Sequence, residues 1–172
     1  MLLAAIAIAG GAVGSAITLA VRGDDDTIVR GELVHVRPLV APGELMHTPF
    51  CVELHHFCIT EPQEGQFFAL YVADPHLREQ GCTVHWDGAA QQQVGSNAAS
   101  QETVTGVFIG GCSGSKFDIA GKRLFGPSPR DLDRFPIAST PDGLVVNTKT
   151  LICGELRVDL PSNKCPRAPA ID

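Results

Sequence analysis

The side chains with most chemistry to offer are cysteines and histidines, and they cluster. Cys51, His55, His56 and Cys58 fall within a single short run. Their ligand types are ones that zinc accepts. On an extended chain, however, adjacent histidines face opposite sides, which is poor geometry for one tetrahedral site. A local Cys51–Cys58 disulfide is the plainer use of the two thiols, with metal binding the competing use. Four more cysteines follow, Cys82, Cys112, Cys153 and Cys165, making an even total of six. Cys153 and Cys165 are close enough in sequence for a bridge that would pin the tail by removing unfolded-state entropy. Ser115 is a nucleophile by residue type, but the sequence sets no histidine or acid beside it to activate it.

The elements that would have to position these groups read as strands. The chain has 172 residues, enough for one domain with a core, and only 6% of them are aromatic while Gly and Pro number 18 and 12. That balance suits a loop-rich β protein. Thr27 to Pro38 alternates apolar and polar residues, as a half-buried strand does. Gln66 to Ala73 is a short continuous apolar run, which reads as a buried strand. Thr103 to Ile109, Gly143 to Asn147 and Glu155 to Leu160 complete an antiparallel set. The stretch from Gly88 to Gln101 is small, polar and aperiodic, and reads as a solvated loop. Arg130, Asp131, Asp133 and Arg134 alternate in sign and read as a solvated rim.

Before the strands, Met1 to Val21 carries no charged side chain. At about 1.5 Å per residue, a helix of that length reaches about 30 Å, a bilayer core. Nothing basic precedes Arg22, which favours a retained anchor over a cleaved signal peptide. Gly10 with Gly14, and Gly11 with Ser15, form small-xxx-small pairs suited to packing on another helix. An even cysteine count beside such an anchor points to an oxidising, extracytoplasmic compartment such as the periplasm. The expected organisation is a transmembrane anchor over 1–22, a hinge over 23–30, a β domain over 31–160 and a Pro-rich tail over 161–172. A formal charge of -6 offers no basic footprint for nucleic acid.

Two stretches carry a resemblance: Asp74 to Trp86 (DPHLREQGCTVHW) and Ile109 to Pro136 (IGGCSGSKFDIAGKRLFGPSPRDLDRFP). They resemble the two cluster-binding loops and the proline loop of Rieske proteins, the iron–sulfur subunits of cytochrome bc-type complexes. In that family the loops read C-x-H-L-G-C and C-x-C-H-G-S. The first cysteine and the histidine of each loop hold the cluster, and the remaining cysteines join the loops. Two imidazoles in place of two thiolates on one iron raise the reduction potential.

Residue by residue, Asp74 stands at the first ligand-cysteine position and His76 matches the first ligand histidine. Gly110 occupies the second ligand-cysteine position and Ser113 that of the second histidine. Arg78, Glu79 and Gln80 look like an insertion before Gly81. Cys82 and Cys112 match the cysteines that join the loops, so the resemblance implies a bridge between them. Gly126, Pro127, Ser128 and Pro129 resemble the segment that covers the cluster.

Three of four ligand positions are thus unable to act as the family's ligands, which implies no cofactor. A 2Fe–2S cluster held by substituted ligands, Asp74 and His76 among them, is the alternative. A re-registered metal site of His76, Cys82, His85 and Cys112 would require breaking the implied bridge. The whole is expected to be an all-β, Rieske-like antiparallel domain on one N-terminal transmembrane helix. Its expected role is a structural accessory subunit of a membrane electron-transport complex, without catalysis of its own. Other subunits of that complex would be its partners, held through the helix and the β domain. The alternative role is electron transfer in a quinol-oxidising cytochrome bc-type complex.

Overall fold

The computed structural model describes residues 33–36, 43–95 and 100–156. They form eleven strands, β1 (Leu33–Val36), β2 (Phe50–Val52), β3 (Phe57–Gln63), β4 (Gln66–Tyr71), β5 (Val84–Val94), β6 (Glu102–Gly110), β7 (Lys116–Phe117), β8 (Arg123–Phe125), β9 (Arg134–Phe135), β10 (Ile137–Thr140) and β11 (Gly143–Asn147). Two 3-10 turns, Glu53–His55 and Arg78–Gln80, are the helical elements among them. Three antiparallel sheets result, in the orders β1-β11-β10, β2-β3-β4-β9 and β5-β6-β7-β8.

The middle sheet explains the packing. Side chains alternate across a strand, so neighbours along β3 and β4 face opposite layers. Phe57, Ile59, Ala69 and Tyr71 belong to one buried cluster, together with Val34, Val36, Leu144 and Val146 of the first sheet. Cys58 and Leu70 belong to a second cluster, with Val84, Phe108 and Phe117 of the third. Register keeps the faces matched, with Phe57 opposite Tyr71, Cys58 opposite Leu70 and Ile59 opposite Ala69. A sheet buried on both faces reads as continuous apolar sequence, which is why Phe67 to Ala73 lacks alternation. Truncating a fully buried Phe or Leu in such a core typically costs about 2–5 kcal/mol.

The Cys51–Cys58 run is part of this sheet. Cys51 and Cys58 are directly opposed on β2 and β3 and form a disulfide. Glu61, fully buried at the end of β3, accepts the backbone N–H of Gly43 and of Gly65, each at 2.7 Å.

Within the polar stretch from Gly88 to Gln101, Gly88 to Val94 do not form the expected loop, and residues 96–99 lie outside the described residues. Residues through Val94 continue β5 against β6. The register passes from Asp87 opposite Val107 to Gln91 opposite Thr105, leaving extra residues in β5 as a bulge. Asp87 organises the bulge, its Oδ1 accepting the N–H of Ala89 at 2.9 Å and of Ala90 at 3.0 Å. Further out, Gln93 donates from Nε2 to Thr103 Oγ1 at 2.8 Å. The polar side chains therefore support a ladder that hydrophobic periodicity could not signal.

Three other expectations are corrected. The all-β class holds, but the single-pass anchor expected over 1–22, with the membrane-anchored, extracytoplasmic placement built on it, finds no counterpart among the described residues. No helix among the described residues is long and apolar enough to cross a membrane. Residues 1–22, the hinge over 23–30 and the tail over 161–172 lie outside the described residues. The charges at 130–134 are not a solvated rim: Arg130, Asp131 and Asp133 are buried. In the last expected strand, Leu156 makes an isolated bridge with Arg130, and 157–160 are outside the described residues.

Gly106 supplies a test of the β5–β6 pairing. Its φ is +78°, and a Cβ there would sit 2.6 Å from Trp86 Cζ2. Gly106→Ala is expected to destabilise the domain by at least about 1–2 kcal/mol, the cost of the left-handed conformation alone. Urea unfolding followed by fluorescence of Trp86, the one tryptophan in the chain, measures it. An unchanged midpoint would contradict the close approach.

Candidate functional site

Three loops meet beyond the ends of β4 and β6. The first leaves β4 at Val72 and turns at Asp74. Asp74 donates its N–H to Cys82 O at 2.9 Å, so the loop closes on itself. Gly81, with φ +74°, ends the 3-10 turn and lets the chain reverse. The second loop is tighter: Gly114 N–H donates to Gly110 O at 2.9 Å and Gly110 N–H to Ser115 O at 2.8 Å. Gly111 N–H reaches Thr83 O at 3.0 Å, and the Cys82–Cys112 disulfide clips the two loops together. By chain entropy, a bridge across a separation of 30 residues contributes about 3–4 kcal/mol. The third loop, Gly126 to Asp133, lies against the second.

Three of the four positions expected to be vestigial ligands come together. Asp74 is fully buried and both of its carboxylate oxygens are occupied. Oδ1 accepts His76 N–H at 2.9 Å, and Oδ2 accepts the Ser113 hydroxyl at 2.5 Å. Ser113 Oγ also accepts Ser115 N–H at 3.1 Å and lies 2.9 Å from Ser115 Oγ. A hydroxyl has one proton to give. With that of Ser113 committed to Asp74, Ser115 must donate to Ser113. Ser115 Oγ in turn accepts Ser128 N–H at 3.0 Å, and Ser128 Oγ donates to Arg130 O at 2.8 Å. One hydrogen-bonded chain thus runs from the third loop through the second to the first.

Gly110 completes the arrangement by absence of a side chain. A Cβ there would meet Ser113 Oγ at 2.6 Å and collide with Asp74 Oδ2. His76, the fourth position, is exposed and contributes only its backbone N–H.

This donor set does not fit a 2Fe–2S cluster. Thiolates are missing at 74 and 110, the space at 110 is taken by Asp74 and Ser113, and Ser113 offers no imidazole. Among the described residues no three His, Cys, Asp or Glu side chains assemble as a metal site. The re-registered alternative through His76, Cys82, His85 and Cys112 meets the same obstacle, because Cys82 and Cys112 are bonded to each other. The thiols of Cys51 and Cys58 are likewise consumed. Cys153 is also disulfide-bonded, and Cys165, its expected partner, lies outside the described residues.

A second polar centre sits behind the first loop. Asp133 is fully buried. Its Oδ1 accepts Arg130 Nε at 2.9 Å and Gly154 N–H at 2.9 Å; its Oδ2 accepts Arg130 Nη2 at 3.0 Å and also Arg78 Nη2. The Arg78 guanidinium lies over the Tyr71 ring, 5.0 Å from its centroid. Burial pushes the Tyr71 phenol up, Arg78 pulls it back and Asp133 pushes it up again. The insertion at 78–80 therefore fastens the first loop to the third. The clue available in sequence was Arg130 and Asp133 at i,i+3 around Leu132, a residue that is fully buried.

Asp118 and Arg134 form the outer part of this region. Burial lowers the Arg134 guanidinium below its ordinary value, against the pull of Asp131 and Asp118. That guanidinium covers the Phe68 ring at 3.9 Å. Burial raises Asp118 above its ordinary 3.8; the N–H groups of Lys122 and Ala120 and the Lys122 charge oppose it, and Asp131 adds to it.

Two measurements follow. Gly110→Ala is expected to cost about 1–3 kcal/mol by overpacking. In an Asp74→Ala background the same change should cost clearly less, because the colliding carboxylate is gone. Equal costs in both backgrounds would contradict the arrangement. For Asp118, a folded value above the unfolded one means that the native state binds the extra proton between the two. Stability from this group is then fully present below the ordinary 3.8 and lost as pH rises through the raised folded value. Asp118→Asn, measured by denaturation across that window, should gain on the parent protein as pH rises. A constant difference would refute the assignment.

No protein-family model, curated protein or solved structure matches the chain.

Proposed function

We propose that the chain is a Rieske-like domain without a cluster, acting as a structural accessory subunit of an electron-transport complex. The observation that carries this reading is the Asp74–Ser113 hydrogen bond closed over Gly110. Positions that would hold iron are joined instead by a hydrogen-bonded chain, while the disulfide that clips the loops is kept. Buried polar groups are stable only when satisfied, and here each oxygen of Asp74 has a partner. In this reading the loops keep their shape for docking, and the β domain offers that shape to other subunits. No electron passes through the chain.

The test is iron and acid-labile sulfide per polypeptide in gently extracted native protein, followed by native-gel migration of the same material. Near-zero iron and sulfide, with migration in a larger assembly, is the expected result. Two irons and two sulfides per chain would overturn the cluster-less reading, and a lone monomer in native extracts would overturn the scaffold role.

A further inference from the structure

The turn joining β2 to β3 is closed covalently by Cys51 and Cys58, which face each other directly across the two strands. Directly opposed residues of an antiparallel pair lie about 4.5–5.5 Å apart at Cα, whereas a disulfide favours about 5.5–6 Å. Here the two Cα atoms are 3.9 Å apart; for Cys82 and Cys112 the separation is 5.9 Å. A second departure from relaxed geometry lies between the two cysteines. His56 has φ +53°, a left-handed conformation that non-glycine residues rarely adopt. Three contacts hold it: His56 N–H donates to Glu53 O at 3.1 Å, His56 O accepts Val72 N–H at 2.9 Å, and the disulfide closes the turn. Backbone strain of this kind persists where the surroundings over-determine it.

The bridge is also within reach of solvent. β2 is a three-residue strand at the margin of its sheet, where Cys51 is exposed while Cys58 is buried. A thiolate arriving from water meets one sulfur and not the other.

We propose that Cys51–Cys58 is a thiol–disulfide exchange site, opened by a dithiol reductant, whose state sets the hold on the first loop. The attacking thiolate bonds to Cys51 Sγ, and the Sγ–Sγ bond breaks, its electron pair leaving with Cys58 Sγ, which takes up a proton. The second thiol of the reductant then displaces Cys51 Sγ, which is protonated in turn. The reductant is oxidised by two electrons to its own disulfide, and both cysteines end as thiols. Once the bridge is open, β2 returns to ordinary strand spacing and His56 leaves the left-handed region, so closure has to restore both. Relief of one left-handed residue corresponds to about tenfold in the equilibrium. Cys82–Cys112 carries no such penalty, and its loops stay in place through Asp74 N–H on Cys82 O and Gly111 N–H on Thr83 O. The change reaches the first loop through Val72, whose N–H is held by His56 O and whose carbonyl accepts Val84 N–H at 2.7 Å. Cys51, His56 and Cys58 lie outside the stretches that carry the Rieske resemblance, so the site is independent of that reading.

Oxidised full-length protein is equilibrated with set ratios of reduced and oxidised dithiothreitol, quenched by alkylation and read by peptide mass spectrometry. Cys51 and Cys58 are expected to open together, at a ratio about tenfold less reducing than Cys82 and Cys112 require. Brief exposure to glutathione, quenched with acid, is expected to leave the mixed disulfide on Cys51. In protein opened at Cys51–Cys58 alone, hydrogen exchange should quicken at His56 and Val72 and stay unchanged at Gly110. A Cys51→Ser, Cys58→Ser double variant should reproduce that exchange pattern without any reductant. Simultaneous or reversed opening of the two bridges, a mixed disulfide on Cys58, or unchanged exchange at Val72 in either form would each overturn the proposal. Loss of protection throughout the domain would overturn it too, because the bridge would then hold the whole fold and not one loop.

Discussion

Asp133 is one residue at which four parts of the chain meet: its own loop, the first loop, the C-terminal segment and the end of β4. Arg130 grips it with two parallel hydrogen bonds, Gly154 brings in the C-terminal segment, and Arg78 brings in the first loop. The backbone carbonyl of the same residue receives Tyr71 N–H at 2.8 Å, which ties it to the end of β4. A buried ion needs several well-placed donors to offset its desolvation, and those donors define where the loops must lie. The geometry of the Asp74–Ser113 chain rests on that fixation, because Ser128, at its far end, belongs to the loop that Arg130 and Asp133 hold.

Metal clusters and hydrogen-bonded chains solve the same structural problem in different ways. Loops rich in Gly, Ser and Pro bury little hydrophobic area, so something else must join them. In this chain the joints are a disulfide, a carboxylate–hydroxyl contact and three serines in sequence. Each joint is neutral or internally satisfied except the one at Arg78. Polar satisfaction therefore separates two regions that lie close along the chain: both oxygens of Asp74 are partnered, whereas Nε and Nη1 of Arg78 are buried with no hydrogen-bond partner.

Much of the β architecture was legible because burial imposes patterns on sequence. Gly143 to Asn147 and the apolar run at Gln66 announced β11 and β4, since a strand in a core cannot hide its side-chain order. The local Cys51–Cys58 bridge, preferred in the sequence over a metal site, is formed. What stayed hidden depended on partners distant in sequence. The Gln and Thr residues of β5 and β6 carry no hydrophobic period, and only their mutual pairing makes them strands. The charges at Arg130, Asp131 and Asp133 looked solvated because alternating signs along a chain say nothing of what is packed over them. The uncharged N-terminal run, read as an anchor from its length and its flanks, lies outside the described residues. At the site, the residue types at 74, 110 and 113 could be read from the sequence. Their packing against one another could not, because it needs Asp74, Gly110 and Ser113 in three dimensions.

The crowding at Gly110 also imposes an order on how this sequence can change. A side chain at 110 is blocked while Asp74 and Ser113 keep their places, yet removing Asp74 first strands the Ser113 hydroxyl and the His76 amide. Each single step passes through a less stable protein, and only paired replacements move freely. Positions 74, 110 and 113, far apart in the chain, are thus constrained as one set.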